Sequence, residues 1–215
     1  MKEQGLFCFD DRKQEFVSLK NDLPDDIRNF VIDSKDRIFF LTGHGQLLHY
    51  QLTVRNSCPE LSFKEEIRHC APVSNIYLSQ DCLIINDDRT LTVSQDNRIL
   101  DSINIPENKT VSQAICHGEY LLISFIEGGC IRYNLENGTS TELLQLPEKA
   151  SIFTIYIGSQ NILWVGTDGQ GILEVYEHSS PFHTVKTNYP VRCFCEEDNG
   201  NILVGTKGEG ILLLD

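Results

Sequence analysis

The sequence predicts an all-β fold built from a repeated antiparallel unit, and three observations carry that prediction. Short apolar runs of strand length alternate with polar turns rich in Gly, Asn and Asp, which permit the positive φ angles of tight hairpins. The three-strand pattern of Val191–Asp215 also occurs one unit earlier, in Ile152–Tyr176. No stretch of the chain shows helical periodicity. A four-stranded unit that recurs about every 40 residues is typical of the blades of a β-propeller.

Five copies of the three-strand pattern can be aligned, and each of the first four is followed by one further strand. The copies are Ile27–Tyr50, Val73–Val93, Val111–Tyr133, Ile152–Tyr176 and Val191–Asp215. The predicted fourth strands, each reached through a polar turn, are Phe63–Ile67, Arg98–Ile105, Ser140–Leu146 and Phe182–Lys186. We attribute the longer spacing after the first copy to a link around residues 57–60.

The two ends of the chain set the phase of the repeat. Gly5–Asp10 matches Gly210–Asp215 almost position for position, so both are predicted third strands of a blade, and Glu15–Leu19 follows as a fourth strand. We therefore predict one propeller region over residues 1–215, with repeats that start near 27, 73, 111, 152 and 191 and the end of a preceding blade in residues 1–20. Because the third strand occurs twice, we expect a part of a larger propeller, with a five-bladed ring as the alternative.

Charge and hydropathy exclude several classes of partner. The formal net charge is −13, which disfavours nucleic acid and anionic membranes because both require a basic surface. No apolar stretch reaches the roughly 18 residues of a membrane helix, so direct membrane insertion of this segment is not expected. The first residues lack the features of a signal peptide, which predicts a cytoplasmic protein if the chain is complete.

Eight cysteines are spread along the chain, and most lie inside apolar runs. There a free cysteine behaves as a small buried hydrophobic residue, so we expect buried thiols. Cys193 and Cys195 have period-2 spacing on one strand, which puts both on the same face and favours packing over metal binding. The sequence leaves open whether Cys58 and Cys70 form a disulfide.

Two segments carry a specific motif: residues 161–172 (NILWVGTDGQGI) and residues 198–211 (DNGNILVGTKGEGI). Both resemble the two-component regulator propeller repeat, in which an acidic Gly turn precedes an apolar strand ending in Gly-Thr and a Gly-x-Gly turn follows. In the second segment Leu203 stands where the family has Trp. Gly166 is expected to allow close packing on the next blade, and the Thr that follows to hydrogen-bond within its turn.

The resemblance implies a function. Such repeats are typical of the periplasmic sensor region of hybrid two-component systems, where two propellers and a β-sandwich connect to a histidine kinase. It implies a segment that binds an oligosaccharide and relays a conformational signal to the remaining propeller, sandwich and kinase modules. The segment itself would not be an enzyme, because any catalysis would belong to the kinase elsewhere in such a protein.

The inner strands are where a propeller presents side chains to its channel. The residue pairs at these positions are Arg28-Asn29, Ser74-Asn75, Ser112-Gln113, Phe153-Thr154 and Arg192-Cys193. Arg28 and Arg192 occupy equivalent positions, and an Arg fork there could bind an acidic sugar, so they are the candidate ligand-binding residues. The alternative is that both are solvated or pair with nearby acidic residues. Trp164, the single Trp, lies in an apolar strand and is expected in the core.

No catalytic residue, metal ligand or cofactor is predicted. The six histidines lack zinc-type spacing, with His44 and His117 expected in solvated turns, and no G-x-S-x-G motif occurs. Residues 198–201 lack the ligand alternation of a calcium loop, which favours a hairpin turn. Two other functions remain open: an axial-metal propeller hydrolase similar to lactonases, and a cytosolic protein-interaction scaffold, which free cysteines would suit.

Overall fold

The computed structural model describes residues 6–10, 13–19, 23–55, 58–147, 150–158, 160–176 and 183–214, and gives the backbone alone at residues 55, 58 and 183–185. Within these ranges the chain contains strands and turns and no helix, and so no helix that could span a membrane. The chain divides into two compact units, Met1–Asp87 and Asp88–Asp215.

The first unit contains a hairpin, one complete sheet and two strands of the next repeat, all antiparallel. Its strands are β1 (Phe7–Asp10), β2 (Glu15–Ser18), β3 (Ile27–Ile32), β4 (Arg37–Thr42), β5 (Leu47–Arg55), β6 (Cys58–Ile67), β7 (Asn75–Ser79) and β8 (Cys82–Asn86). Strands β1 and β2 pair with each other, and β3 to β6 form one sheet in chain order. The boundary of the unit falls in the turn after β8, between the second and third strands of the second repeat.

The second unit continues the same pattern. Its strands are β9 (Thr90–Gln95), β10 (Arg98–Asn104), β11 (Val111–His117), β12 (Tyr120–Phe125), β13 (Gly129–Asn134), β14 (Ser140–Gln145), β15 (Ser151–Ile157), β16 (Leu163–Asp168), β17 (Ile172–Val175), β18 (His183–Val185), β19 (Val191–Glu196), β20 (Ile202–Thr206) and β21 (Ile211–Leu214). Strands β11 to β14 and β15 to β18 each form a four-stranded sheet in chain order, and β19 to β21 a three-stranded one.

These meandering antiparallel sheets confirm the predicted fold class, a β-propeller of four-stranded blades. Each predicted three-strand copy coincides with three consecutive strands, and the predicted fourth strands Arg98–Ile105 and Ser140–Leu146 are β10 and β14. The predicted strand Phe182–Lys186 is β18, although Phe182 itself lies outside the described residues. That residues 1–215 form one continuous propeller region stays a prediction.

One boundary was predicted wrongly. The fourth strand of the first repeat was expected at Phe63–Ile67, but β6 begins at Cys58, because β5 and β6 pair along a long hairpin from Leu47↔Ile67 to Arg55↔Cys58. Pro59 made the segment look like a link. Strand β6 is the outer strand of its sheet, a position at which proline is tolerated.

The hydrophobic core lies between consecutive sheets. In the first three repeats the second strand is buried most deeply: all five residues of β8 are buried, as are all but the first of β4 and β12. In the second unit one core cluster joins residues of β12 to β14 with residues of β15 to β17, and another joins β16 and β17 with β19 to β21. Trp164 packs against this second cluster, as predicted. Each buried Leu, Ile or Val contributes about 1.5–3 kcal/mol.

The Gly-Thr motif has the packing role that the sequence predicted. A Cβ atom at Gly166 would lie 2.7 Å from Thr154 Cγ2 and 2.7 Å from Val191 Cγ1, a side chain of the following sheet. In the turn that follows, the hydroxyl of Thr167 donates to the carbonyl of Gly171 at 2.7 Å and accepts from the amide of Gln170 at 3.1 Å. Thr206 makes the equivalent contacts one repeat later. These contacts hold successive sheets and turns in fixed register.

Candidate functional site

Four of the five innermost strands that the structure describes have a β-bulge at one equivalent position, and β7 pairs without a register shift. The pairing register shifts between Ile27 and Asn29 in β3, Val111 and Gln113 in β11, Ile152 and Thr154 in β15, and Val191 and Cys193 in β19. The residues at the bulges are Arg28, Ser112, Phe153 and Arg192. A bulge leaves its extra residue out of the ladder and re-aims its side chain, so the same feature recurs at candidate binding positions in both units.

Polar residues that follow three of the bulges tie one inner strand to another. In the first unit, the side-chain nitrogen Nδ2 of Asn29 donates to Asn75 Oδ1 at 2.9 Å and to the backbone carbonyl of Ile76 at 3.2 Å. In the second unit, Gln113 Oε1 accepts from the hydroxyl of Thr154 and from the backbone amide of Ile155, both at 2.8 Å. The polar inner-strand positions noted in the sequence therefore fix the spacing of the blades.

In the second unit, the bulge residues form a surface that we call the bulge face, made of Ser112, Phe153 and Arg192. Strand β15 contacts both β11 and β19, so the three residues lie on neighbouring strands. The guanidinium carbon of Arg192 lies 4.4 Å from the centre of the Phe153 ring, a cation–π distance. Arg192 is exposed, while Phe153 and Ser112 are half-buried. The bulge face therefore offers an aromatic ring beside a solvated guanidinium group.

Arg28 is the equivalent residue of the first unit. It is exposed on β3, and no hydrogen bond or ion pair joins its side chain to another residue that the structure describes. Its role as a ligand-binding residue, like that of Arg192, stays a prediction. The half-exposed aromatic ring of Phe153 was not singled out from the sequence, although it occupies one of the inner-strand positions.

A concave surface, which we call the Tyr120 cleft, lies between the sheet of β11 to β14 and the sheet of β15 to β18. Its volume is about 450 Å³, counted together with the solvent at its open mouth. Apolar side chains line most of it, and Tyr120, Tyr176, His117 and Arg132 add polar groups. The guanidinium carbon of Arg132 lies 4.8 Å from the centre of the Tyr120 ring. His117 was expected in a solvated turn, but it ends strand β11 and is half-buried in this cleft, so that expectation was wrong.

Two hydrogen bonds from tyrosine hydroxyls to carboxylates link neighbouring blades in the second unit. The hydroxyl of Tyr156 on β15 donates to Glu196 Oε2 on β19 at 2.7 Å. Burial, together with this hydrogen bond, raises the pKa of Tyr156 to about 12. Tyr133 on β13 donates to Asp101 Oδ2 on β10 at 2.8 Å, and this hydrogen bond also raises the pKa of Tyr133. Both contacts stabilise the packing of one blade on the next.

The cysteines whose side chains the structure describes differ in burial, and Cys8 is half-buried. Cys82, Cys116 and Cys130 are buried, as expected for small hydrophobic side chains, and burial raises the pKa of Cys130 to about 12. Cys193 and Cys195 are exposed, so the general expectation of buried thiols does not hold for them. Both lie on β19, where Arg192, Cys193 and Cys195 are exposed. Cys70 is a free exposed thiol, and the Cys58 side chain lies outside what the structure describes.

Two predicted turns, at His44 and at residues 198–201, are present in the structure. His44 is exposed in the turn after β4, with Nε2 3.7 Å from Asp26 Oδ2. Residues 197–201 form the hairpin turn between β19 and β20, closed by the amide of Gly200 donating to the carbonyl of Glu197 at 2.9 Å, as predicted.

The sequence did not predict one cluster. In the first unit, the side chains of His69, Cys70 and Asp87 converge, with donor atoms within 4.8 Å of one another. Because residues 69 and 87 follow different strands, only the folded chain brings them together.

Comparison with known proteins supports the resemblance seen in the sequence. Residues 145–169 match the family model "Two component regulator propeller". The matched residues include part of the motif around Trp164. No curated protein sequence matches the chain.

Among solved structures, the chain is similar to the extracellular domain of a one component system of B. thetaiotaomicron, with a TM-score of 0.73 and 19% identity over 97% of this chain and 30% of that one. It is also similar to the extracellular domain of a hybrid two component system of the same organism, with a TM-score of 0.68 and 15% identity over 99% of this chain and 31% of that one. The chain therefore spans less than a third of the length of these two proteins.

A third similar structure is an enzyme. A catalytically inactive variant of virginiamycin B lyase from Staphylococcus aureus, bound to quinupristin, has a TM-score of 0.64 and 12% identity over 88% of this chain and 70% of that one. At these identities the similarity concerns the fold, and the propeller fold carries both sensor domains and enzymes.

Proposed function

We propose that this chain is a non-catalytic, ligand-sensing propeller segment of a two-component signalling protein, and that it detects an acidic oligosaccharide in the periplasm. The observation that carries the proposal is the Arg192–Phe153 pair on the bulge face. The match of residues 145–169 to the regulator propeller repeat and the similarity to extracellular sensor domains give the context.

The chemistry of the bulge face suits a sugar acid. An aromatic ring packs against the apolar C–H face of a pyranose, and a guanidinium fork binds a carboxylate through two parallel hydrogen bonds. Arg192 is exposed and its guanidinium covers one side of the half-buried Phe153 ring, so one ligand residue would contact both by packing on the rest of the ring, beside the guanidinium. The paired strands on either side of each bulge fix the backbone that carries Phe153 and Arg192, so only side chains have to be ordered on binding.

The links between inner strands supply a route for a conformational signal. Thr154, next to Phe153, donates to Gln113 on the preceding blade, and Tyr156 on the same strand donates to Glu196 of the following blade. Ligand contacts that displace Phe153 would strain both bonds. The other modules of such a signalling protein would then receive a change in blade spacing.

Calorimetric titration of the purified chain with oligogalacturonides, and with neutral oligosaccharides of the same length, tests this proposal. We expect binding of the acidic series alone, and a loss of affinity of about tenfold or more in Arg192→Ala, which corresponds to about 1.4 kcal/mol. Arg98→Ala is the matched control, because Arg98 is an exposed arginine on the outer strand β10. Equal affinity in Arg192→Ala and wild type would refute the assignment of the bulge face.

The free thiols favour a second candidate function, a protein-interaction scaffold in the cytosol. Cys70, Cys193 and Cys195 are free and exposed, which suits a reducing compartment. Fusion of the natural full-length protein, at the position of this chain, to alkaline phosphatase separates the two candidates, because that enzyme is active only after export. Activity is expected for the sensor, and its absence would favour the scaffold.

A further inference from the structure

The first unit contains a cluster that the sensor function does not use: His69, Cys70 and Asp87. The Nδ1 atom of His69 lies 3.5 Å from Asp87 Oδ2 and 3.8 Å from Cys70 Sγ, and Cys70 Sγ lies 4.0 Å from Asp87 Oδ2. The three distances close a triangle of one nitrogen, one sulfur and one oxygen donor. We propose that this triangle is a zinc site with three protein ligands.

The dimensions of the triangle fit a tetrahedral zinc ion. Bond lengths of about 2.0–2.1 Å to nitrogen and oxygen and about 2.3 Å to sulfur give donor separations of about 3.3 Å (N–O) and about 3.5 Å (N–S and O–S). The observed separations exceed these values by about 0.2–0.5 Å, so a small contraction around an ion would complete the geometry. Imidazole, thiolate and carboxylate are the three side-chain groups that zinc binds in proteins.

The arrangement differs from that of a catalytic Cys-His-Asp relay. A relay uses the two ring nitrogens for two different partners, one for the nucleophile and one for the acid. Here the same nitrogen, Nδ1 of His69, faces both the sulfur of Cys70 and the oxygen of Asp87. Donor atoms that converge on one point are what a cation requires.

The backbone holds the cluster in place. His69 and Cys70 lie in the connection between β6 and β7, and Asp87 directly follows β8. That connection is tied to the turn after β4 by the amide of Val73, which donates to the carbonyl of Gly45 at 3.0 Å. It is tied to the end of β8 by the amide of Ser74, which donates to the carbonyl of Asn86 at 2.8 Å. The loop thus brings its two donors next to the residue that follows Asn86.

Burial differs among the three side chains in a way that suits a site with access to solvent. The side chain of Asp87 is 3% exposed and that of His69 is 12% exposed, while Cys70 is exposed. A cation bound by Asp87 would offset part of the cost of burying a carboxylate. The exposed side at Cys70 gives the ion a path from solvent and leaves the fourth coordination position to water. On binding, the Cys70 thiol loses its proton to solvent and its sulfur forms the bond to zinc.

Titration of the whole metal-free chain with Zn²⁺, under reducing conditions, tests the proposal. We expect one equivalent bound, release of about one proton per ion measured by calorimetry in two buffers, and affinity lowered by on the order of 100-fold or more in Cys70→Ser, since even changes around metal ligands cost about 10–100-fold. Cys193→Ser/Cys195→Ser is the matched control, because both residues are exposed cysteines outside the cluster, and it should bind as wild type does.

Substitution with Co²⁺ gives a second readout, independent of affinity. A thiolate-to-cobalt absorption band should appear in the wild type and in the control variant and be absent in Cys70→Ser. Zinc should also slow alkylation of Cys70 relative to Cys195 in the same molecule. Failure of the wild type to bind zinc, unchanged binding in Cys70→Ser, or loss of binding in the control variant would each overturn the site. Cys70 is exposed, so its replacement by serine is compatible with folding, which circular dichroism would verify.

Discussion

One blade packs closely on the next at Gly166, and the mutation Gly166→Ala tests this close approach. The added methyl group would lie 2.7 Å from both Thr154 Cγ2 and Val191 Cγ1. Favourable carbon–carbon contacts lie at about 3.5–4.0 Å, so each contact is too short by about 1 Å. Relief would require movement of Thr154 on the same sheet or of Val191 on the next one.

The expected destabilisation follows from two opposing effects. Overpacking a core costs about 1–3 kcal/mol, and replacing glycine by alanine restricts the unfolded chain and returns about 0.4–1 kcal/mol. We expect a net loss of about 1–2 kcal/mol in the free energy of unfolding. For a chain of this size that is a fall of about 2–8 °C in the melting temperature.

Gly158→Ala is the matched control. Gly158 has ordinary backbone geometry, and the nearest atom to an added Cβ is Trp164 Nε1 at 3.4 Å, an ordinary van der Waals contact. We expect a change of less than about 0.5 kcal/mol or a slight stabilisation. The measurement is urea unfolding of both variants followed by circular dichroism. A double-mutant cycle with Val191→Ala should show that the smaller side chain reduces the cost of Gly166→Ala. Equal stability of the two alanine variants would refute the close approach.

Three further predictions follow from contacts within the second unit. Gln113→Ala leaves the amide of Ile155 without its acceptor and should cost about 1–3 kcal/mol in chemical unfolding, whereas Gln113→Glu keeps an acceptor oxygen and should recover most of the loss; equal losses would contradict the role of the bond. Because the pKa of Tyr156 is raised to about 12 from 10.0, its stabilising contribution is complete below pH 10 and is lost as the pH rises to about 12; the stability difference between wild type and Tyr156→Phe should therefore shrink over that range, and a constant difference would count against it. Cys130 is buried and its pKa is raised to about 12, so it should resist iodoacetamide in the native protein while Cys195 reacts. Alkylation of Cys130 as fast as of Cys195, measured by mass spectrometry, would contradict its burial.

Most of the fold could be predicted because its signals are local. Apolar runs of strand length and Gly, Asn or Asp turns recur in the same order, and each hairpin needs information from only about 20 residues. The motif around Trp164 also predicted correctly that β16 approaches the next blade closely at Gly166. Glycine lacks the Cβ atom that would collide with Val191 of that blade. The hairpin of β5 and β6 was mispredicted at Pro59, since only the sheet order shows that β6 is an outer strand.

The candidate sites depend on contacts between strands, which the sequence does not display. The bulge that re-aims Phe153 arises from a register shift between β15 and β16, and neither strand alone reveals it. The convergence of Cys70 and Asp87 joins residues 17 positions apart that follow different strands. The exposure of Cys193 depends on what covers β19, and period-2 spacing gives a common face without showing which face is buried.

A structure of the chain determined with an oligogalacturonide tests the proposed sensor function most directly. We expect a sugar ring against the part of the Phe153 ring that Arg192 leaves open, with its carboxylate within hydrogen-bond distance of the Arg192 guanidinium. A ligand bound in the Tyr120 cleft with the bulge face vacant, or no ligand at concentrations that saturate binding in solution, would contradict it.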